Sequence, residues 1–138
     1  MTTDLEPLGR AIKAAQHRQH RTLERALAAV GSTVVQWDAL RAIDRTKGAS
    51  AHDLAAATFQ SDQAFGTLAN RLEAQGLIER RAGAGRKIEH RLTPNGARLL
   101  EEGNAIAGQV RTELFAPLSE TDRQALQRIL QHLLGSEG

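Results

Sequence analysis

The sequence predicts a mainly α-helical fold that carries one short β-hairpin. Three observations predict it. Between Leu5 and Leu134 the chain is rich in Ala, Leu, Arg, Gln and Glu, strong helix formers, with apolar residues recurring at helical spacing. One segment breaks that pattern: from Gly76 to Leu100, two strand-like runs, Leu77–Arg81 and Ile88–Leu92, flank a turn containing Gly83 and Gly85. Immediately before this segment a helix ends in Arg71-Leu72-Glu73-Ala74-Gln75 and stops at Gly76.

The first helix is expected over Leu5–Val30. Its apolar stripe is Leu5, Leu8, Ile12, Leu23, Leu27 and Val30, its middle is the polar turn His17, Arg18, His20 and Arg21, and Gly31 ends it. Thr33 opens the second helix, with Gln36 in capping-box position; Val34, Trp37, Leu40 and Ile43 form its buried face and Lys47-Gly48-Ala49 closes it. Ser50 and Asp53 form the next box, before a short third helix packed by Leu54. After the turn Thr58-Phe59-Gln60, Ser61 caps a fourth helix to Gln75 whose inward residues are Phe65, Leu68, Ala69 and Leu72. The hairpin follows, with Ile88, His90 and Leu92 on one face and Glu89 and Arg91 on the other. Thr93-Pro94 starts a fifth helix, since proline suits the first helical position, and it runs to about Phe115. Pro117 breaks it. Ser119 and Asp122 box the last helix, which shows Leu126, Ile129, Leu130, Leu133 and Leu134 as one apolar face.

Composition narrows the function. At 138 residues one domain is the default. Aromatics are few, so the core is aliphatic, with Trp37, Phe59, Phe65 and Phe115 as its large anchors. Cysteine is absent, which removes disulfides, thiolate metal sites and thiol chemistry. His17, His20, His52, His90 and His132 make no convincing metal set. A phosphate-binding Gly-rich loop, a nucleophile elbow and an HExxH motif are all missing, so an enzyme is a poor reading and no cofactor is expected. No apolar run reaches membrane-span length, and Met1-Thr2-Thr3-Asp4 has no secretory pattern; the simplest expectation is a cytoplasmic protein with no membrane partner.

The net charge of +2 argues nothing by itself, but its distribution does. From Glu79 to Arg98, Arg80, Arg81, Arg86, Lys87, Arg91 and Arg98 face only Glu79 and Glu89. From Leu99 onward the balance is acidic: Arg111, Arg123 and Arg128 against Glu101, Glu102, Glu113, Glu120, Asp122 and Glu137. A charge run is usually a solvated face. A basic, glycine-rich hairpin directly after a helix-turn-helix is better read as a phosphate-contacting wing.

The expected architecture is therefore a winged helix-turn-helix, and its expected partner is double-stranded DNA. The fourth helix is the candidate recognition helix. Its outer side offers Ser61, Asp62, Gln63, Thr67 and Asn70; Gln63 suits an adenine edge and Thr67 a phosphate or a thymine methyl. Arg71 suits a salt bridge as well as a phosphate. Arg86 and Lys87 lie near the hairpin tip, where an arginine can enter a narrow minor groove, and Arg80, Arg81 and Arg91 flank the strands. The terminal helices carry apolar stripes that this lobe does not need. The expected solution is a homodimer through Leu5, Leu8, Ile12, Leu126, Ile129, Leu130 and Leu133; the alternative is that these helices fold back on their own domain.

These residues resemble the MarR family of bacterial transcriptional regulators. The resemblance rests on Gln36-Trp37-x-x-Leu40-Arg41, Leu54-Ala55, Arg71-Leu72-Glu73-x-x-Gly76-Leu77-Ile78-x-Arg80-Arg81, Arg86, and Arg91-Leu92-Thr93-Pro94-x-Gly96. It implies a single domain over residues 1–138, with a DNA-binding lobe at 33–100 and dimerisation helices at 5–30 and 101–135. It also implies an obligate dimer that is released from a near-palindromic operator by a small, often phenolic, anionic ligand. Such effectors lodge between the dimer helices and the DNA-binding lobe, which makes His17, His20, Trp37 and Arg41 the ligand candidates here. Two departures stand out. Ala84 occupies the wing position, two before Arg86, where the family usually has Asp; and Gln63, Ala64, Gly66 and Thr67 replace the more usual Ser/Thr and Arg of the recognition helix. A winged helix used as a protein-interaction module is the alternative function, and absence of operator binding would support it.

Overall fold

Residues 2–135 are described by the computed structural model. Met1 and residues 136–138, including Glu137 of the acidic C-terminal balance, lie outside the described residues. Each α-helix starts on a side-chain cap. Asp4 precedes α1 (Leu5–Leu27), Thr33 α2 (Val34–Arg45), Ser50 α3 (Ala51–Ala57), Ser61 α4 (Asp62–Ala74), Thr93 α5 (Pro94–Phe115) and Ser119 α6 (Glu120–Leu134). In every case the cap oxygen accepts a first-turn amide that has no helical carbonyl to bond. The reciprocal box forms at Ser50–Asp53; Thr33 and Ser119 accept from the amides of Gln36 and Asp122 without it. The Gln36 side chain instead donates from Nε2 to Gln75 Oε1 at 3.2 Å.

The remaining boundaries shift by a residue or a turn. α1 ends at Leu27, and Ala28–Val30 forms a single 3₁₀ turn before Gly31. β1 spans Ile78–Ala82, one residue later than expected, and pairs antiparallel with β2 (Ile88–Leu92) in the register Ile78↔Leu92, Arg80↔His90 and Ala82↔Ile88.

The core forms where α2, α4 and α5 converge with the C-terminal half of α1 and the base of the hairpin. Leu27, Leu40, Ile43, Leu54, Phe65, Leu72 and Ile78 are essentially sealed from solvent. Two glycines set how closely α5 approaches. A methyl group on Gly103 would lie 2.6 Å from Cδ1 of Trp37, so α5 crosses directly over that ring. A methyl on Gly96 would lie 1.9 Å from the carbonyl oxygen of Leu77, so the start of α5 is seated against the backbone leading into β1.

Two expectations for apolar residues are corrected. Phe59 is not a core anchor. It is 96% exposed and sits at φ 58°. The cause is the ending of α3: Gln60 N–H donates to Ala55 O and Phe59 N–H to Ala56 O, a Schellman ending whose turn residue must be left-handed. α4 ends identically, with Leu77 N–H to Leu72 O and Gly76 N–H to Glu73 O, and there a glycine takes the position at φ 74°. At Phe59 a bulky side chain accepts both backbone strain and full hydration, because the turn required by the chain reversal outranks the burial of one ring. Phe59→Gly should therefore stabilise the protein by about 1 kcal/mol, seen as a higher urea midpoint at unchanged slope. A lowered midpoint would mean that the ring holds a contact.

Ile88, His90 and Leu92 share one strand face as expected, but burial along it is uneven. Ile88 is exposed at the outer end of β2, while His90 is buried at 2% exposure against Phe65. The hairpin projects past the core at Ile88, so the alternation carries burial only near its base. Phe115 is the second correction: it is 37% exposed and lies at the edge of the fold rather than in the core.

Candidate nucleic-acid interface

α4 divides cleanly into two faces. Phe65, Leu68, Ala69 and Leu72 are buried, and Ser61, Asp62, Gln63, Ala64, Thr67, Asn70 and Arg71 are exposed. This follows from the helical period: one stripe is spent on the core, which leaves a continuous polar stripe outside. Ser61 is engaged as the N-cap, accepting from Ala64 N at 3.0 Å, and Thr67 donates its hydroxyl to the Gln63 carbonyl at 3.2 Å. Gln63 and Arg71 leave their side chains free of protein hydrogen bonds among the described residues.

The six expected arginine and lysine contacts fall into two groups. Arg80 is held inward: its Nη2 donates to Asn70 Oδ1 at 2.7 Å and to Glu73 Oε1 at 2.8 Å. That bond holds the Glu73 carboxyl below its usual range. Arg80 and Asn70 thus couple β1 to α4, fixing the wing base on the recognition helix. Arg81 pairs with Glu79 at 3.2 Å and Arg91 with Glu89 at 3.5 Å, each within its own strand. Arg86 and Lys87, at the exposed tip, make no ion pair among the described residues. Gly83 N–H to Lys87 O at 2.8 Å closes the tip loop, and Ala84 brings no carboxylate to it. The free positive charge of this surface is therefore concentrated at Arg71, Arg86 and Lys87.

A contact not foreseen from the sequence lies at the N-terminal ends of α3 and α4. His52 Nδ1 is 3.1 Å from both Oδ1 and Oδ2 of Asp62. Ten residues separate the two, and only the turn between the helices brings them together; no local spacing signals it.

The four ligand candidates are not brought into one site. Trp37 is buried, its Nε1 donates to Asn104 Oδ1 at 3.0 Å, and the Arg41 guanidinium stacks 4.5 Å from its ring centroid. Arg41 opens on a cavity of about 200 Å³ with Arg45, Asn104 and Arg111. Partial burial, then Arg45, push its pKa down from the ordinary value. His17 lines a separate surface hollow on α1 with Arg18, Arg21 and Arg25. His20 lies 3.5 Å from Glu24, which accepts from the Val34 amide and so joins α1 to the start of α2. Arg45 had a signal, standing four residues after Arg41 on one helix face. Arg111 and Asn104 had none, because they arrive from α5.

A recognition helix with a polar outer stripe, braced to a hairpin with a bare basic tip, defines a winged helix-turn-helix DNA-binding protein. The family model for the MarR family matches residues 30–87, the stretch that holds the helix-turn-helix and most of the wing. Over that stretch the chain resembles the MarR family, whose members are DNA-binding transcriptional regulators. It is 27% identical over 110 residues to the HTH-type transcriptional repressor Rv2887 of Mycobacterium tuberculosis, covering 78% of this chain and 79% of that protein. The crystal structure of Rv2887 in complex with salicylic acid superposes with a TM-score of 0.75 at 26% identity, over 94% of this chain and 96% of that one. A mutant MarR from Escherichia coli complexed with operator DNA shares the fold, with a TM-score of 0.88 at 24% identity over 95% of this chain and 96% of that one. No helix among the described residues is long and apolar enough to cross a membrane.

Proposed function

We propose that the protein is a homodimeric repressor that reads a near-palindromic operator and leaves it when a small anionic ligand, phenolic in type, is bound. The observation that carries this reading is the exposed polar stripe of α4 beside the bare tip cations Arg86 and Lys87. In it, Gln63 and Thr67 reach base edges, Asn70 and Arg80 position the wing, and Arg71, Arg86 and Lys87 meet phosphates or the minor groove. The uncovered apolar residues of α1 and α6 support the dimer. Repression is supported by likeness to the Rv2887 repressor, and ligand release by that protein's complex with salicylic acid. Arg41, stacked on the buried Trp37 ring, opens with Arg45 and Arg111 on one cavity, beside Asp44, and offers cations for such a ligand.

Selection of bound sequences from random duplex DNA, followed by titration of salicylate against the selected site, tests it. A palindromic consensus that salicylate weakens is expected; no enrichment of any sequence would end the reading. Gln63→Ala should cost roughly 1–3 kcal/mol at one position of each half-site and relax the preference there. An equal loss on all sequences would make Gln63 a backbone contact.

Arg86→Ala should weaken binding to every sequence. Its guanidinium is always ionised and no acid shares it, so its loss removes about one phosphate contact per subunit. The log–log salt slope of affinity should then fall by about 1.8 in a dimer. An unchanged slope and affinity would leave the wing tip in solvent.

A further inference from the structure

The first turns of α3 and α4 meet at one contact, His52 with Asp62. His52 is the second residue of α3 and Asp62 the first of α4, and their side chains are 79% and 68% exposed. In a helix-turn-helix these are the ends that approach the duplex: the recognition helix enters the groove by its N-terminus while the preceding helix crosses the backbone. A bare carboxylate placed there opposes the phosphates.

With a neutral imidazole, Nδ1–H donates to Asp62, Nε2 is a bare acceptor, and the pair carries one negative charge. With a second proton, Nε2–H becomes a donor and the pair is neutral. We propose that His52 is a DNA-contacting residue whose protonation sets operator affinity: the imidazolium is held by Asp62 through Nδ1 and donates to a backbone phosphate through Nε2. This rests on the DNA-binding reading of α4 and deepens it by adding proton-dependent control at the same surface.

The surroundings favour the charged form. The Asp62 bond raises the His52 pKa above its ordinary 6.5, and Asp53, next to it on α3, adds to the effect. Asp53 is itself held ionised by Ser50 and lies within the influence of Lys87 from the wing. No other charged group of α3, α4 or the wing acts on His52. Buried His90 has its pKa pushed below 6.5, mainly by desolvation, so it is silent in the window where His52 titrates.

The test is operator affinity at constant ionic strength between about pH 6.5 and 8.5, for the full-length wild type, His52→Gln and Asp62→Asn. Wild-type binding should weaken as pH rises, by up to about tenfold per pH unit for each half-site. His52→Gln should flatten the profile at the weak, high-pH level. Asp62→Asn should bind more tightly than wild type at high pH and move the transition to lower pH. Both side chains are exposed, and unchanged thermal melts would confirm intact folding. A wild-type pH response that survives in His52→Gln, or a wild-type profile that is already flat, overturns the proposal while leaving DNA binding standing. Failure of every form to bind selected DNA at any pH would instead overturn the reading on which it rests.

Discussion

A variant carrying Ile129→Lys and Leu133→Lys should be a monomer that binds no operator. α6 buries none of its residues against its own chain, and Ile129 and Leu133 are 55% and 66% exposed. They share a face with Leu126, Leu130 and Leu134, while Leu5, Leu8 and Ile12 line an equally uncovered face at the start of α1. Single exposed leucines are ordinary, but two contiguous apolar faces on one small chain call for a partner surface. In a two-fold interface each substitution occurs twice, so four buried side chains are exchanged for cations. At 1.5–3 kcal/mol for each side chain, the loss is roughly 6 kcal/mol or more, which is four or more powers of ten in the dimer dissociation constant. Sedimentation at micromolar concentration measures it. A wild-type protein that sediments as a monomer would remove the premise, and a variant that stays dimeric would move the interface elsewhere.

Gly96→Ala should unfold much of the population or lower the melting temperature by about 10 °C or more. The added methyl meets the Leu77 carbonyl at 1.9 Å, and that obstacle is backbone, not a side chain that can rotate away. Leu77 is also held on both sides: its N–H donates to Leu72 O, and its carbonyl accepts from Thr93 N–H at 3.0 Å. Relief requires separating α5 from the hairpin, which breaks the Thr93 bond and opens the core at Ile78. Overpacking of this kind costs about 3 kcal/mol or more. A melt within a degree or two of wild type would show that the two segments separate freely. Gly108→Ala is the control, since nothing lies near a methyl on that glycine of the same helix.

The parts of the fold that depend on neighbours in sequence were legible. The caps at Thr33, Ser50, Ser61, Thr93 and Ser119 each satisfy an amide three residues on, so they appear in the sequence as they do in space. The buried stripe of α4 and the shared face of Ile88, His90 and Leu92 follow from the periods of helix and strand. What was not legible is set by segments that meet only after folding. Phe59 looked like a core residue because a phenyl ring usually is one; the left-handed turn at its position depends on how α3 must reverse into α4. Arg80 looked like its neighbours Arg81 and Arg86, yet it alone faces Glu73 and Asn70 across the join of wing and helix. Gly96 was visible within a motif, but its reason is a carbonyl nineteen residues earlier. His52 carried no local signal at all.

The length of α5 has a mechanical consequence. Its 22 residues make a rod of about 33 Å. One end is wedged against the hairpin at Gly96, the middle rests on the Trp37 ring at Gly103, and the other end leads into the uncovered apolar helix α6. Such a rod behaves as a lever with Trp37 near its fulcrum. A tilt of about 5° displaces one end of a 33 Å rod relative to the other by about 3 Å, close to the rise of one base pair. A small tilt about Trp37 would therefore shift the hairpin relative to α6 by a distance on the order of one base-pair step.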